Sequence, residues 1–359
     1  MKNEAIHIQN GITIIPGQLS RNLLFEPMVS NCYIIEDRDD VIIFDPACGE
    51  KTARLTKAHI RKRQQEGAHW TSGTVIAGHS HMDHANNFEV ADNIGTKKIS
   101  VYMHETGFLN KQAMNMPNRF IAKELNAAMK QYNVFQSFFF PYNLLLLPLN
   151  ILSGFAPYHA VKLASYLTSL PMPRPRNGKI QPHPLREKDL KEIKISDDII
   201  LKGWALRDNF ILPTPGHSPC SVSLLCPKQK AIFTSDAAWL GNPVFLSGSV
   251  KDGIASLTII KELAQKNIVE LLLPAHGGAI KGRKMIVTYL DFHIQLLESI
   301  REEVIACFLS NSEKLIQALA RELVRNSPLF HFLKGNNYPN GVVFVNNLIC
   351  VCLKEAGLR

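Results

Sequence analysis

Short apolar runs that end abruptly at polar or glycine-containing loops recur along the chain. Runs of this kind indicate buried β-strands, and five of them occupy residues 41–45, 74–78, 210–213, 231–236 and 269–274. Helix-compatible spacing over residues 51–65 and 254–267 predicts a helix before the second and before the last of these strands. Strands that alternate with helices predict a layered α/β architecture, whose functional residues collect in loops at strand ends.

Residues 105–194 depart from this alternation, and the pattern predicts a largely helical insertion there. Their most apolar part, residues 138–152, is interrupted by Pro141 and Pro148, whereas a transmembrane helix needs roughly 20 nearly unbroken apolar residues. The insertion is therefore either a pair of short core helices or an apolar lid or interfacial patch beside the basic residues that follow it. The second interpretation includes contact of residues 134–180 with a membrane surface.

A second region, residues 283–359, has a mostly helical pattern whose last helix is expected to end at Gly357. We therefore expect a main domain over residues 1–280, with the insertion inside it. A helical C-terminal region over residues 281–359 is expected to pack on its core. The 359 residues are 46% hydrophobic and 20% charged, which is ordinary for a globular protein and sufficient for a large core.

The charge balance adds a preference for anionic partners, since 40 Lys and Arg residues against 31 Asp and Glu residues give a net charge of +9. The basic residues are dispersed and lack interleaved aromatic residues, so nucleic acid is not an expected partner. A small-molecule or lipid-like substrate is expected, and a homo-oligomer stays open. Seven cysteines without C-x-x-C spacing and a poor secretory start favour a cytoplasmic location, with peripheral membrane attachment as the alternative.

Candidate chemistry is concentrated in the sequence TVIAGHSHMDHANN at residues 74–87. Four ligand-type side chains follow the predicted strand within six positions: His79, His81, Asp83 and His84. Imidazoles and carboxylates this close together are costly in a protein interior unless each polar group has a partner. Because neutral imidazole and carboxylate are good metal ligands, the pattern predicts metal binding, and one such loop can serve two neighbouring metal positions.

Three further loops have the same form: an apolar strand, a break and then one ligand-type residue. These residues are His217, Asp236 and His276. Any one of them alone would be better explained as a turn residue. Together with the loop at residues 74–87 they form a set of seven, and the two glycines after His276 allow close backbone approach.

The order and spacing of these residues resemble the metallo-β-lactamase superfamily over roughly residues 31–278, without the insertion. The resemblance lies in H-x-H-x-D-H at residues 79–84, in the three separate ligand-type residues, and in the strand that ends in IIFDPACG at residues 42–49. It implies an α/β fold, a four-layer αββα sandwich in which two mixed sheets pack face to face between helices. It also implies a site in the loops along one edge of the sandwich.

The resemblance further implies a role for each residue. The metal ligands are two triads and one bridging residue: His79, His81 and His217 for the first metal, Asp83, His84 and His276 for the second, and Asp236 for both. Zinc is the expected metal for both positions, and iron, manganese or cobalt would fit as well. A hydroxide shared by two such ions is expected to attack the substrate, while Asp83 moves the proton. Asp45 either supports a ligand or its loop from behind or is a turn residue at the end of its strand.

The sequences TPGHSP and TSDAAW are most similar to the lactonase, esterase and thioesterase branch, which includes glyoxalase II-like enzymes. N-acyl homoserine lactonases commonly have a tyrosine three residues after the bridging aspartate, whereas this chain has Trp239, which cannot supply that hydroxyl. The expected substrate is an ester, thioester or lactone with a hydrophobic portion. The alternatives are a phosphodiester, in a lipid or a nucleic acid, and then a β-lactam.

Substrate contacts are expected mainly from residues in or near the apolar insertion. A hydrophobic substrate chain gains about 0.8 kcal/mol for each CH₂ that it buries, so aromatic and other apolar side chains favour such a substrate. The candidates are Trp239, Phe138, Phe139, His104 and His159.

Overall fold

The structure is a computed structural model that describes residues 4–9, 11–17, 29–81, 83–85, 87–96, 99–107, 180–238, 248–310, 316–333 and 338–358. Within these ranges the strands form two sheets of seven strands each. The first sheet contains, in spatial as in chain order, β1 (Ile6–Gln9), β2 (Ile12–Ile15), β3 (Cys32–Asp37), β4 (Asp40–Phe44), β5 (Ser72–Ile76), β6 (Ile99–His104) and β7 (Ile180–Leu185). The second contains β8 (Lys191–Ser196), β9 (Ile199–Leu206), β10 (Asn209–Pro213), β11 (Val222–Cys226), β12 (Ala231–Ser235), β13 (Leu271–Pro274) and β14 (Ile280–Lys281).

Both sheets are mixed, and each contains a parallel pair of strands joined by a helix. In the first sheet β4 pairs in parallel with β5, and α1 (Glu50–Gln65) connects them. In the second sheet β12 pairs in parallel with β13, and α2 (Val250–Gln265) connects them. These two units confirm the strand–helix–strand predictions. The strand predicted at residues 74–78 lies at Ser72–Ile76 instead, because the Gly78 amide leaves the ladder and donates to a side chain.

Alternating side chains of the strands build three apolar layers. Ile34 and Ile43 belong to the cluster under α1. Their neighbours Tyr33 and Phe44 point to the opposite face and pack between the two sheets, where the ring centroids of Tyr33 and Phe233 are 5.1 Å apart. α2 covers the outer face of the second sheet in a third cluster. The order of helix, sheet, sheet and helix confirms the expected αββα sandwich.

Three helices of the C-terminal region join α2 on the outer face of the second sheet. They are α3 (Arg283–Ser310), α4 (Ile316–Asn326) and α5 (Tyr338–Glu355). The chain turns after α5 at Gly357, which has a φ of +67° and donates its amide hydrogen to the carbonyl of Lys354. Short 3-10 turns complete the list of elements: Phe88–Ile94, Glu105–Gly107, Glu187–Asp189, Pro227–Gln229 and Pro328–Leu333.

The last part of the range assigned to the insertion belongs to the two sheets. Residues 180–194 contain β7, which pairs with β6, and most of β8, which pairs with β9. Polar residues and prolines in these strands weakened the apolar signal that marked the other strands. Residues 108–179 lie outside the described residues, so the predicted helical character there stays a prediction. Among the helices that the structure describes, none is both long and apolar enough to cross a membrane.

Candidate metal centre

The seven predicted ligand-type residues lie in loops that leave four strands at one edge of the sandwich. β5 ends at Ile76 and leads into the loop with the H-x-H-x-D-H motif. β12 leads directly to Asp236, and β13 leads to His276 two residues after its end. Because β4 and β5 are parallel, and β12 and β13 are parallel, their carboxyl ends bring these loops to a common edge.

The seven side chains converge into one buried cluster. Ligand atoms within 4.8 Å of one another define three groups, which are His79, His81 and His217; His79, His84 and Asp236; and Asp83, His84 and His276. The first and third groups are the two triads that the resemblance implied. Their convergence places all seven predicted residues in one site, and their service as metal ligands stays a prediction.

Asp236 lies at the centre of the cluster. Its Oδ2 atom is 3.8 Å from Nε2 of His79, and 3.4 Å from Nε2 of both His84 and His217. Its Oδ1 atom is 3.4 Å from Nε2 of His276. One carboxylate therefore faces imidazoles of both triads, which is the position that a bridging ligand requires.

Asp83 occupies the more open side of the cluster. Its Oδ2 atom is 3.3 Å from Nε2 of His84 and 3.3 Å from Nε2 of His276. The Asp83 side chain is 20% exposed, whereas that of Asp236 is 4% exposed. Asp83 is therefore the carboxylate of this cluster that a substrate can approach.

Several ligand-type atoms in the cluster are buried without a hydrogen bond. Among the residues that the structure describes, none offers hydrogen-bond geometry to Nε2 of His79, Nε2 of His84 or Oδ1 of Asp236. Leaving such atoms unpaired is costly in a protein interior. Imidazole and carboxylate donors that point at a common centre fit a divalent cation, which would satisfy these atoms.

Asp45 supports the cluster from behind, as its predicted role requires. Its Oδ2 atom is 3.0 Å from Nδ1 of His84 and accepts a hydrogen bond of 2.8 Å from the hydroxyl of Ser235. Its Oδ1 atom accepts the amide hydrogen of Gly78 over 2.7 Å. Because Asp45 holds the Nδ1 side of His84, the Nε2 side is directed into the cluster.

Ser235 was not among the predicted site residues, although it precedes Asp236 directly. Its hydroxyl lies 3.2 Å from Nδ1 of His79 and 3.2 Å from Nδ1 of His84. A serine before a carboxylate in an apolar strand is an ordinary sequence, so nothing in the pattern distinguished it. The signal appears only in the backbone, where Ser235 has a φ of +48°.

Ser30 and Asn31 anchor two of the loops that carry ligand-type residues. Neither was among the predicted site residues. The Ser30 hydroxyl donates to the carbonyl of Asp83 over 2.7 Å. The Asn31 side chain donates to the carbonyl of Gly277 over 2.9 Å, and its backbone amide donates to the carbonyl of Ala275 over 2.7 Å. No local spacing connects partners so far apart in the chain.

Electrostatic interactions within the cluster shift the pKa values of its members. Burial would raise the pKa of the Asp236 carboxyl, but the surrounding imidazoles, chiefly His84, hold it well below its usual range. The Asp83 carboxyl is likewise opposed by burial, yet His84 and His276 hold its pKa well below the usual range. Burial lowers the pKa of His217 to about 4. Ionised carboxylates and a neutral imidazole are the states in which these groups bind metals. Against the effect of burial, however, the same carboxylates raise the pKa of His84 well above its usual range, so a metal would have to displace a proton from that ring.

The weaker substrate-contact candidates have different positions. His104 is buried, with Nδ1 3.0 Å from the hydroxyl of Thr106 and its ring edge toward Trp204 at a centroid distance of 6.0 Å. These contacts hold His104 within the fold, and its contact with a substrate stays a prediction. The remaining candidates lie outside the described residues: Trp239, Phe138, Phe139 and His159.

Comparisons with known proteins agree with this geometry. The profile of the metallo-beta-lactamase superfamily matches residues 26–279. A metallo-beta-lactamase family protein from Thermus thermophilus has a similar structure, with 16% identity and a TM-score of 0.57 over 97% of this chain and 94% of that one. The stereoselective inverting sec-alkylsulfatase Pisa1 from Pseudomonas sp. is 15% identical with a TM-score of 0.54 over 99% of this chain, which spans only 51% of that enzyme.

No curated protein matches the sequence. The structural likenesses support the fold alone, because their identities are low. The profile match covers more than half of the 359 residues and includes all seven clustered side chains. This chain therefore belongs to the metallo-β-lactamase superfamily, and it is a hydrolase of that superfamily.

Proposed function

We propose that this chain is a dinuclear metal-dependent hydrolase that cleaves an ester, thioester or lactone with a hydrophobic portion. The observation that carries the proposal is the convergence of two ligand triads on the shared carboxylate of Asp236. One triad contains only imidazoles, and the other contains two imidazoles and Asp83. Such donor sets suit zinc, with iron, manganese or cobalt as alternatives.

When bound, two divalent ions lower the pKa of water toward about 7 and polarise the oxygen of the bond under attack. His79, His81 and His217 would hold one ion, and the triad with Asp83 would hold the other. Asp236 faces both triads and would keep the two positions at a fixed separation. Asp45 and Ser235 would keep the rings of His79 and His84 oriented toward them.

Asp83 is the residue that we assign to proton transfer. It is the more exposed carboxylate of the cluster, and its neighbours favour the ionised form, which can accept a proton. Its carboxylate would orient the attacking water, take its proton and pass a proton to the departing alkoxide or thiolate. Asp236 is almost enclosed and faces imidazoles of both triads, so it is left with the bridging role.

The apolar sequence of residues 138–152 supports the hydrophobic portion of the proposed substrate. The chain enters residues 108–179 after Gly107, and a Cβ atom added at Gly107 would lie 3.5 Å from the Cβ atom of Ser80. Ser80 stands between two residues of the imidazole triad, so Gly107, the last described residue before the insertion, lies beside the proposed site. An apolar sequence in the insertion that begins there favours a lipophilic acyl group over a small polar one.

A substrate panel on metal-replete protein tests the proposal. It would contain short- and long-chain p-nitrophenyl esters, an acyl thioester, a lactone, bis-p-nitrophenyl phosphate, a secondary alkyl sulfate and nitrocefin. We expect close to two metal ions per chain, cleavage of the carbonyl substrates with a preference for longer acyl chains, and loss of cleavage after chelation. Undiminished turnover in stably metal-free protein would refute the metal-dependent hydrolase.

A phosphodiesterase is the second candidate, because the net charge of +9 favours an anionic substrate. The same panel separates the two activities. Cleavage of bis-p-nitrophenyl phosphate without cleavage of the carbonyl substrates would replace our first proposal with this one.

A further inference from the structure

Ser235 combines an unfavourable backbone with a specific set of contacts. Its φ of +48° lies in the left-handed region, which glycine adopts far more readily than residues with a Cβ atom. The side chain is fully buried. The surrounding structure must therefore stabilise this conformation, and the contacts of the hydroxyl show what the side chain gains there.

The contacts of the Ser235 hydroxyl determine how its one hydrogen is used. The Asp45 carboxylate can only accept, so the hydroxyl donates to Asp45 over 2.8 Å. Its oxygen is then free to accept, and Nδ1 of His79 lies 3.2 Å away. Nδ1 of His84 faces the same two acceptors, at 3.0 Å from Asp45 and 3.2 Å from Ser235. Both imidazoles therefore carry a hydrogen on Nδ1, which leaves Nε2 of each ring as the atom that faces the cluster and would bind a metal.

The surrounding backbone is shaped for this side chain. A Cβ atom added at Gly78 would lie 2.4 Å from both the Cβ and the Oγ of Ser235. The absence of a side chain at Gly78 provides the room that the Ser235 hydroxyl occupies. The two loops thus fit together closely at the point where the hydroxyl reaches Asp45.

We propose that Ser235 is a positioning residue that fixes the tautomer and ring orientation of one imidazole from each triad. His79 belongs to the first triad and His84 to the second, so one hydroxyl couples the two metal positions. This inference rests on the proposed dinuclear function. The proposal assigns a role to a residue outside the set of seven ligand-type residues.

Two substitutions separate this role from simple space filling. Ser235→Ala removes the hydroxyl and keeps the Cβ atom in the left-handed backbone. Ser235→Gly removes the hydroxyl and relieves the backbone. If Ser235 only fills space, metal binding should follow stability, so the glycine variant should bind metal better than the alanine variant. If Ser235 positions the two rings, both variants should lose affinity alike.

The measurements are zinc affinity by competition with a chromophoric chelator, the absorption spectrum of the cobalt-substituted protein and the melting temperature with and without chelator. We expect both variants to bind zinc about 10- to 100-fold more weakly and to show altered cobalt spectra. The glycine variant should melt at least as high as the alanine variant in chelator. Ser327→Ala is the matched control, because the Ser327 hydroxyl also donates to a carboxylate, that of Glu303, outside the cluster.

The outcomes distinguish the two proposals. A wild-type protein that binds no zinc would overturn the proposed function itself. A wild-type protein that binds two zinc ions while both Ser235 variants match it in affinity and spectrum would overturn the role of Ser235 alone. Weaker binding in the alanine variant but not in the glycine variant would also overturn it, since the hydroxyl would then be dispensable.

Discussion

His84 and His276 lie on either side of Asp83, each with Nε2 3.3 Å from its Oδ2 atom, yet the protein supports them differently. His84 is held through its own ring, since Nδ1 faces Asp45. The loop of His276 is held through its backbone, because Asn31 bonds to carbonyls on both sides of the histidine. Support through the ring fixes the tautomer, whereas support through the backbone fixes the position of the loop. Substitutions of the ring support and of the backbone support should therefore differ in their effects on metal affinity and on the free energy of unfolding.

Asp236→Ala removes the residue that faces both halves, and we expect the largest effect from it. Because Asp236 is the predicted bridging ligand, its loss should weaken metal binding by more than the roughly 100-fold that loss of an outer partner costs. Metal content by elemental analysis and turnover on the best panel substrate should fall together. Asp208→Ala is the control, because Asp208 is an exposed partner of Lys228. Retention of both metals by the Asp236 variant would remove the bridging role.

Asp45→Asn tests the half that is supported through the ring. An amide replaces one of two carboxylate oxygens, so it cannot accept from both the Gly78 amide and the His84 ring. We expect about 10- to 100-fold weaker metal binding with a smaller change in overall stability. Chelator competition and thermal unfolding would be measured on the same preparation. Unchanged affinity would show that the tautomer of His84 is fixed by other means.

Asn31→Ala tests the half that is supported through the backbone. The substitution removes side-chain hydrogen bonds of 2.9 Å to the Gly277 carbonyl and of 3.3 Å to the Pro274 carbonyl. We expect the free energy of unfolding to fall by about 1–3 kcal/mol, since several hydrogen bonds of about 0.5–1.5 kcal/mol each are lost together, including the one that Asn31 accepts from the Gly17 amide. Metal affinity should fall less than in Asp45→Asn. Denaturant unfolding checks the first expectation, and the reverse order of affinities would contradict the comparison.

Protonation of two clustered histidines gives a further contrast between the two sheets. In metal-free protein, burial lowers the pKa of His217 to about 4. Burial also opposes the charged form of His84, but the carboxylates of Asp83, Asp236 and Asp45 raise its pKa well above the usual range. Ring signals in NMR spectra at pH 6 should therefore show His84 charged and His217 neutral. Two rings that titrate together would contradict this contrast.

The sign of the linked stability change follows from the His217 pKa. Between about 4 and the ordinary value of 6.5, the unfolded chain binds a proton that the folded chain does not. This group therefore lowers the free energy of unfolding as the pH falls through that window, by about 2 kcal/mol between pH 7 and pH 5. Denaturant unfolding of the wild type and of His217→Asn, both in chelator, measures the difference. An equal pH slope in the two proteins would exclude this contribution.

The ligand set could be predicted from the sequence because four members lie within six positions, and the other three each follow an apolar strand. The two strand–helix–strand units could be predicted because short apolar runs alternate with stretches of helical spacing. β7 and β8 could not, because IQPHPL and KEIKIS mix polar residues and prolines with few apolar ones. Their pairing with β6 and β9 is fixed by tertiary contacts that no local pattern records.

The supporting residues could be predicted only in part. Asp45 was identified because it ends a strand within a sequence typical of the superfamily. Ser235 and Asn31 were not, because their roles depend on a left-handed backbone at one position and on loops that are distant in the chain at the other. Ligand chemistry is thus visible in residue types, whereas its support depends on geometry that arises only on folding.

The close approach of Gly78 and Ser235 has an evolutionary consequence. A side chain can be gained at position 78 only if position 235 gives up its own, because the two would occupy the same space. Substitutions at these distant positions should therefore be correlated among relatives of this chain. Lineages with a side chain at position 78 should carry glycine at position 235 and a shifted Asp45 carboxylate, which would lie 2.9 Å from the added Cβ atom, and they would need another group to orient the two imidazoles.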